Sequence, residues 1–187
     1  VLTASGTGPD TRTVLFGMGA LDAAYAAEIN PGADIVVDAG SFTATGNVAA
    51  ASDVSLVSGM NSTFFGSTTA TAGNVTVNAG TSALLVGDVV SGMNTSVTAG
   101  TTAAVRQNVT AGGNYSVTAG TGVTLGDAAA RTQAAGGAVT ITATSGDVAQ
   151  GAGRLTVVSN SDVTGTEVLT ISANAGNIVL GNSQLTG

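Results

Sequence analysis

The even spacing of one motif constrains this chain more than any other feature of its sequence. The motif Val-x-Ala-Gly recurs along the chain, and a degenerate copy, Val57-Ser58-Gly59-Met60, fills the gap in the series. The motif valines define a 20-residue repeat, since they stand at Val37, Val57, Val77, Val97 and Val117. Phe65, Leu85, Val105 and Leu125 follow these valines by eight positions from Val57 onward, and Asn74, Asn94 and Asn114 precede theirs by three. A fixed period of this length is the signature of a repeat architecture.

Each repeat contains short segments in which apolar and polar residues alternate. In Val75-Thr76-Val77-Asn78 the valines share one face, with Thr and Asn on the other, which is the pattern of a half-buried strand. One such unit cannot bury its own apolar face, whereas stacked units can, with backbones paired about 4.8 Å apart. We therefore predict an all-β parallel β-solenoid with one repeat per coil. The valines would form an inward row, and the asparagines a hydrogen-bonded ladder at a corner.

The repeat divides the chain into three parts. Regular coils are predicted over residues 34–125, and looser coils over residues 126–187, where the step from Val117 to Ile141 is longer than the regular repeat. Residues 126–133 supply this extra length and are predicted to form a loop or a short helical turn. Residues 1–33 form either an N-terminal cap or an atypical first coil. Good helix formers from Ala20 to Ile29 favour a short capping helix, and the atypical coil is the alternative.

The composition excludes several classes of function. Among 187 residues there is no Cys, His or Lys, and 11 acidic residues against four arginines give a net charge of −7. Without Cys or His, the chain lacks the residues for thiolate catalysis, a Ser-His-Asp triad, and the usual zinc and haem sites. The negative charge argues against nucleic acid as a partner, because phosphates are neutralised by clustered basic residues. The sequence contains no run of about 20 apolar residues, so no transmembrane segment is predicted.

Several units share one form: Gly73-Asn74-Val75-Thr76-Val77-Asn78-Ala79-Gly80, Gly137-Ala138-Val139-Thr140-Ile141-Thr142-Ala143 and Gly176-Asn177-Ile178-Val179-Leu180-Gly181. Residues 34–187 thereby resemble the coils of filamentous-haemagglutinin-type exoproteins of Gram-negative bacteria. The resemblance implies a right-handed parallel β-helix, secretion to the bacterial cell surface, and a role in adhesion or biofilm formation. The conserved secretion module of that family is not recognisable in residues 1–33. We expect the rod-like stalk of a larger extracellular adhesin, with glycans or proteins of a host or cell surface as partners.

Unpaired backbone edges at the two ends of a solenoid suggest a rival function. Copies could stack end to end, which would make the chain a self-assembling extracellular filament or surface-layer subunit. A polysaccharide-active β-helix is a further alternative, since enzymes of that kind use clustered carboxylates.

Charged side chains are the first candidates for a site. In the 20-residue register, Asp88, Arg106 and Asp127 take neighbouring positions on consecutive coils, and Asp34 lies close to Asp38 in sequence. A surface ion pair or a solvated corner is the favoured interpretation. Aromatic platforms for sugars are not expected, because Phe65 is assigned to the inward row. We therefore assign no catalytic, cofactor-binding or metal-ligating residue and expect no enzyme.

Acidic residues elsewhere do not form a known calcium motif. The Gly-Gly-x-Gly-x-Asp nonapeptide and the acid spacing of an EF-hand are both absent from the sequence,. Asp53 and Asp147 are instead predicted to lie at turns and to accept hydrogen bonds from their own backbone.

Polar residues recur in two further patterns along the chain. The outward residues of successive coils would form two hydroxyl-rich rows on one flat face: Thr76 with Asn78, Ser96 with Thr98, Ser116 with Thr118, and Thr140 with Thr142. Such rows are similar to those of ice-binding solenoids, although Thr also simply suits an exposed strand. The sequence Asn-x-Ser/Thr occurs at Asn61, Asn74, Asn94, Asn108 and Asn114, which leaves N-glycosylation open.

Overall fold

The computed structural model describes residues 12–22, 28–29, 34–159, 169–181 and 183–186, with the backbone alone for 12–22 and 28–29. Within these ranges the chain is all-β and has no helix. The strands in chain order are β1 Arg12–Asp22, β2 Glu28–Ile29, β3 Asp34–Ala44, β4 Asn47–Ala50, β5 Val54–Ser58, β6 Asn61–Phe64, β7 Thr68–Ala70, β8 Val75–Ala79, β9 Ser82–Leu85, β10 Val89–Ser91, β11 Thr95–Ala99, β12 Thr102–Val105, β13 Val109–Ala111, β14 Tyr115–Ala119, β15 Gly122–Leu125, β16 Arg131–Ala135, β17 Val139–Ala143, β18 Asp147–Gln150, β19 Leu155–Ser159, β20 Leu169–Ala173, β21 Ile178–Val179 and β22 Ser183–Thr186.

These strands form three faces. Strand β3 takes part in two of them, since its first part pairs with β5 and its last part with β6. Face one contains the first part of β3 with β5, β8, β11, β14, β17 and β20. Face two contains the last part of β3 with β6, β9, β12, β15, β18 and β21, and face three contains β2, β4, β7, β10, β13, β16, β19 and β22. The chain visits the faces in turn, so each strand pairs in parallel with its equivalents in the coils before and after it.

The coils stack as a parallel β-solenoid of about six turns with about 21 residues per turn, which confirms the predicted fold. Val77, Val97 and Val117 are direct neighbours in one buried row. Ile141 pairs with Val117 and continues this row, so the predicted longer step between these two residues is also confirmed. The right-handed sense implied by the family resemblance stays a prediction; it agrees with the preference for right-handed crossovers between parallel strands.

Inward rows of Val, Ala, Leu and Ile from the three faces meet in a single core. Phe42 and Phe64 pack against each other within it, with ring centroids 5.3 Å apart. Burial of a Val or Leu side chain contributes about 1.5–3 kcal/mol to stability. Because every coil adds such side chains, the core grows with the number of coils.

Tyr115 and Gln133 form a hydrogen-bonded polar pair in the core. The hydroxyl of Tyr115 donates to Oε1 of Gln133 over 3.0 Å, and Nε2 of Gln133 donates to the carbonyl oxygen of Val105 over 3.2 Å. Burial raises the pKa of Tyr115 well above its ordinary value of 10.0, so the hydroxyl keeps its proton and acts as the donor. The pair satisfies two polar side chains that are otherwise surrounded by apolar rows.

One row departs from the predicted register. Val37 pairs with Leu56, and Leu56 pairs with Val77, so the first step of the row is one residue shorter than the regular repeat and the second is one residue longer. Val57, which was predicted to lie in this row, points outward and is 44% exposed. Two corners cause this shift. The corner between faces one and two is one residue shorter in the coil of β3 than in the coil of β5, and the corner between β7 and β8 is one residue longer than the corner between β10 and β11.

The prediction for Phe65 is wrong because of the longer corner between β7 and β8. Phe64 pairs with Leu85 and is buried in the inward row, whereas Phe65 is 52% exposed. Side chains alternate between the two sides of a strand, so a shift of one residue exchanges the inward and outward sets. The sequence places two phenylalanines side by side, and the structure buries the first of them.

Strand β1 occupies part of the segment for which a capping helix is predicted. Residues 20–22 belong to β1, which pairs with β3, and Glu28–Ile29 form β2, which pairs with β4. The predicted helix is therefore wrong for these residues, and residues 23–27 lie outside the described part. A helix as short as the predicted one is marginal in isolation, whereas β1 hydrogen-bonds along the edge of an existing sheet. This pairing agrees with the alternative of an atypical first coil, as does the shift of register between Gly17 and Ala20.

The longer coil that follows Leu125 places its additional residues at the corner between faces two and three. Residues 126–130 form a loop there, as predicted. Residues 131–133 do not belong to it, because Arg131–Ala135 form β16 and pair with β13 and β19. The predicted loop was too long because Arg-Thr-Gln carries no apolar residue that would mark a strand.

Asparagines form the predicted ladder at the corner between faces three and one. The backbone N–H of Asn94 donates to Oδ1 of Asn74 over 3.1 Å, and that of Asn114 donates to Oδ1 of Asn94 over 2.8 Å. The side-chain amide of Asn94 also donates to Oδ1 of Asn74. Two aspartates begin this series: Asp34 accepts from the N–H of Asp53 over 3.2 Å, and Asp53 accepts from the N–H of Asn74 over 2.7 Å. In each coil, a side-chain oxygen at this corner thus accepts a hydrogen bond from a backbone N–H of the next coil.

The predicted turn role of two aspartates is corrected by the same geometry. Asp53 accepts from Asn74 and Asp147 accepts from the N–H of Asn177 over 2.7 Å, rather than from their own local backbone. These carboxylates therefore join successive coils, as the asparagines do.

Candidate functional site

The outward side of face one carries two rows of mostly hydroxyl-bearing side chains. The register confirms the predicted rows: Thr76, Ser96, Ser116 and Thr140 stack in one, and Asn78, Thr98, Thr118 and Thr142 in the other. The hydroxyl of Ser116 donates to that of Ser96 over 3.2 Å. Asp38 is the one charged residue aligned with these rows within β3 to β20. Over most of its length, face one is therefore a flat and uncharged polar surface.

The central outward rows of the other two faces are also uncharged. On face two the row contains Thr43, Thr63, Leu84, Ala104, Thr124, Ala149 and Val179. On face three it contains Ala49, Thr69, Val90, Thr110, Ala134, Val158 and Thr186. Stacked like charges would repel at the separation between coils, which accounts for their absence from these rows.

Charge gathers instead at the corner between faces two and three. We name residues 86–88, 106–108, 126–131 and 151–154 the charged corner. It contains all three arginines whose side chains the structure describes, Arg106, Arg131 and Arg154, together with Asp88 and Asp127. The corner also contains the loop of residues 126–130, so Asp127 and Arg131 lie where the coil is longer, whereas Asp88 and Arg106 lie on coils of regular length.

An ion pair holds Asp127 and Arg131 together within this corner. Nε of Arg131 donates to Oδ1 of Asp127 over 2.9 Å, and Nη2 donates to Oδ2 over 2.8 Å. The backbone N–H of Ala129 also donates to Oδ1 of Asp127 over 2.8 Å. The carboxylate thus closes the loop, which agrees with the surface ion pair favoured from the sequence. Its partner is Arg131, which the sequence analysis did not single out.

The other predicted site residues are not brought together for catalysis. Asp88 accepts from the backbone N–H and the side-chain amide of Asn108, each over 3.1 Å. Asp34 accepts from the N–H of Asp53 over 3.2 Å. Asp38 stands four positions further along the same strand as Asp34, a separation of about 13 Å. Among the described residues, no group of three or more His, Cys, Asp or Glu side chains could hold a metal ion.

In three of the glycosylation sequences the side-chain amide nitrogen of the asparagine is engaged in a ladder. The side-chain amides of Asn74, Asn94 and Asn108 donate to the preceding coil, so a glycan on these nitrogens would disrupt coil pairing. Asn61 is exposed at the start of β6, and Asn114 is also exposed. Glycosylation at these two positions stays a prediction.

The ion pair predicts the titration of Asp127. The side-chain hydrogen bond from Arg131, followed by the backbone hydrogen bond from Ala129, lowers the pKa of Asp127 below its ordinary value of 3.8. A lowered pKa in the folded state stabilises the fold at a pH above the ordinary value, and this contribution is lost as the pH falls through the lowered pKa. We expect Arg131→Gln to raise the midpoint of Asp127 towards 3.8, measured by carboxyl carbon shifts in NMR.

Arg106→Gln is the control for this titration. Arg106 lowers the pKa of Asp127 only through charge, as the smallest of the contributions. Its removal should therefore move the midpoint less than the removal of Arg131. Equal shifts in the two variants would contradict the hydrogen-bonded geometry.

No family model, curated protein or solved structure matches this chain. In the part of the chain that the structure describes, no helix is long and apolar enough to cross a membrane.

Proposed function

We propose that this β-solenoid is an extracellular structural and adhesive rod, the stalk of a larger surface adhesin. The observation that carries the proposal is the pair of uncharged, hydroxyl-rich rows on face one, which continue through β8, β11, β14 and β17. Each hydroxyl offers a weak contact to a glycan or protein surface, and a rigid scaffold presents many of them at once. Multivalent attachment of this kind multiplies weak single contacts.

The stacking geometry supports the mechanical part of the proposal. Backbone hydrogen bonds join every coil to the next, and corner ladders such as Asn74–Asn94–Asn114 add side-chain bonds in the same direction. A rod built in this way resists bending, because bending would stretch bonds on one side. The described carboxylates are separate or engaged with neighbouring coils, so the geometry favours binding over catalysis.

A bead assay tests adhesion through face one. Beads coated with the chain should resist detachment from cultured epithelial cells under flow, compared with albumin-coated beads. We expect the double variant Thr98→Glu with Thr142→Glu, which places charges two coils apart on face one, to lower retention. The matched control is Thr69→Glu with Thr110→Glu, which places charges two coils apart on face three.

Two outcomes would count against this function. Retention equal to that of albumin would exclude adhesion to these cells, and equal losses in the two double variants would exclude face one as the adhesive surface. Concentration-dependent fibres in electron micrographs would instead favour the self-assembling filament.

A further inference from the structure

An exposed aromatic ring and an exposed guanidinium share one row at the end of face two. Phe64, Leu85 and Val105 stack as ladder partners, so the residues that follow them, Phe65, Val86 and Arg106, also stack. The backbone confirms this alignment, because the N–H of Val86 donates to the carbonyl of Phe64 and that of Arg106 to the carbonyl of Leu85. We name Phe65, Val86 and Arg106 the Phe65–Arg106 row.

Phe65 differs from the other aromatic residues whose side chains the structure describes. Phe42, Phe64 and Tyr115 are fully buried in the core, whereas Phe65 is 52% exposed. Its exposure results from the one-residue shift of register described above, and no packing role in the core requires a ring at this position. Exposed aromatic rings provide the flat apolar surface on which the C–H faces of sugars stack.

Arg106 differs from the other arginines of the charged corner. Arg131 is bonded to Asp127, and Nη2 of Arg154 donates to Oε1 of Gln184 over 2.6 Å. Arg106 is exposed, and no hydrogen bond or ion pair to another described residue engages its guanidinium. Its planar donors are therefore available to a ligand carboxylate, which guanidinium binds with two parallel hydrogen bonds.

We infer that the Phe65–Arg106 row binds an acidic polysaccharide that carries carboxylates on its sugar rings. One sugar ring would stack on Phe65, Val86 would form the apolar surface beside it, and a carboxylate would bind Arg106. Phe65 and Arg106 stand two coils apart, roughly 10 Å along the rod axis. A polysaccharide running along the axis would therefore contact both through neighbouring sugars. This inference adds a ligand class to the proposed adhesive function. It rests on that function in one respect, namely that the outer surface of the rod is accessible to ligands.

The charge distribution favours sparse carboxylates over a dense polyanion. Asp88 and Asp127 lie in the same corner as the three arginines, so the local excess of positive charge is small. The whole chain carries a net charge of −7, which repels nucleic acid with its charge about every 1.7 Å. A single free guanidinium beside an aromatic ring suits one carboxylate at a time.

Titration with hexagalacturonate, followed by amide NMR shifts and calorimetry, tests the inference. We expect shifts confined to the Phe65–Arg106 row and its neighbours. Arg106→Gln should weaken binding about tenfold through the loss of the charged hydrogen bonds, and Phe65→Ser about fivefold through the loss of stacking. Both side chains are exposed, so the variants should keep the amide spectrum of the folded chain.

Arg154→Gln is the matched control, since it removes the same charge from the same corner but leaves the row intact. We expect it to change the affinity less than about twofold, because an exposed charge outside the contact is screened. Neutral methyl-esterified hexagalacturonate should bind more weakly than the free acid. Equal losses for Arg106→Gln and Arg154→Gln, or no binding by the unmodified chain, would overturn the inference. Either result leaves the bead assay of face one as an independent test of adhesion.

Discussion

Gly100→Ala is expected to destabilise the solenoid by about 4 kcal/mol or more, because the added methyl group has no space. A Cβ at this position would lie 2.0 Å from the carbonyl oxygen of Gly80, in the coil below. That oxygen belongs to the backbone and cannot rotate away as a side chain does. The two coils would have to separate at the corner between faces one and two, which would weaken the pairing of β11 with β8. Urea unfolding followed by far-ultraviolet circular dichroism measures the loss.

Gly59→Ala provides a control at the same corner two coils earlier. A Cβ on Gly59 would lie 3.7 Å from the carbonyl oxygen of Gly40, an ordinary contact distance. We expect the free energy of unfolding to change by no more than about 1 kcal/mol. Similar losses in the two variants would show that glycine is needed at this corner for chain flexibility, rather than for the close approach of coils.

The regular coils were predictable because each repeats the same chemistry at the same spacing. Val77, Val97 and Val117 stand in one row at the spacing of the repeat, and the asparagines before them form the expected ladder. Stacking places equivalent residues on top of each other, so one alternating strand predicts the inward and outward sides of its neighbours. The repeat therefore supplied the fold, the core row and the hydroxyl rows of face one.

Corner lengths were not predictable, and the errors follow from them. The sequence around Val57 keeps the regular count of the repeat, yet Leu56 takes the inward position because one corner before it is a residue shorter and one corner after it is a residue longer. Ser-Leu-Val and Phe64-Phe65 each offer two apolar neighbours, and nothing local decides which one points inward. The helix predicted from Ala20 was wrong because helix propensity is a local property. It takes no account of the sheet edge with which β1 pairs.

The charged corner was found only in part. Spacing brought Asp88, Arg106 and Asp127 to adjacent coils, but the longer loop places Arg131 against Asp127 and leaves Arg106 free. The exposed ring of Phe65 was missed because it was assigned to the core. A comparison of the two possible registers for Phe64 and Phe65 could have identified it, since only one of them leaves a ring on the surface beside Arg106.

The buried pair of Tyr115 and Gln133 yields the second large prediction. Either Tyr115→Phe or Gln133→Leu alone should lower the free energy of unfolding by about 1–3 kcal/mol, because the remaining partner is left buried without its hydrogen bond. The double variant should be within about 1 kcal/mol of the unmodified chain, since neither polar group remains to be satisfied. Urea unfolding of the four proteins gives the coupling energy of the pair.

In the double variant, no neighbouring polar group loses its last hydrogen-bond partner. The carbonyl of Val105, which accepts from Gln133, also accepts from the backbone N–H of Gly126 over 2.8 Å, so it keeps a partner when Gln133 is replaced. Gln133 stacks between Val109 and Val157, and a leucine there would continue an apolar row. Losses that simply add in the double variant would contradict the prediction, because they would mean that each side chain stabilises the core through packing alone. A large coupling would show that two polar residues lie inside an apolar solenoid because each satisfies the other.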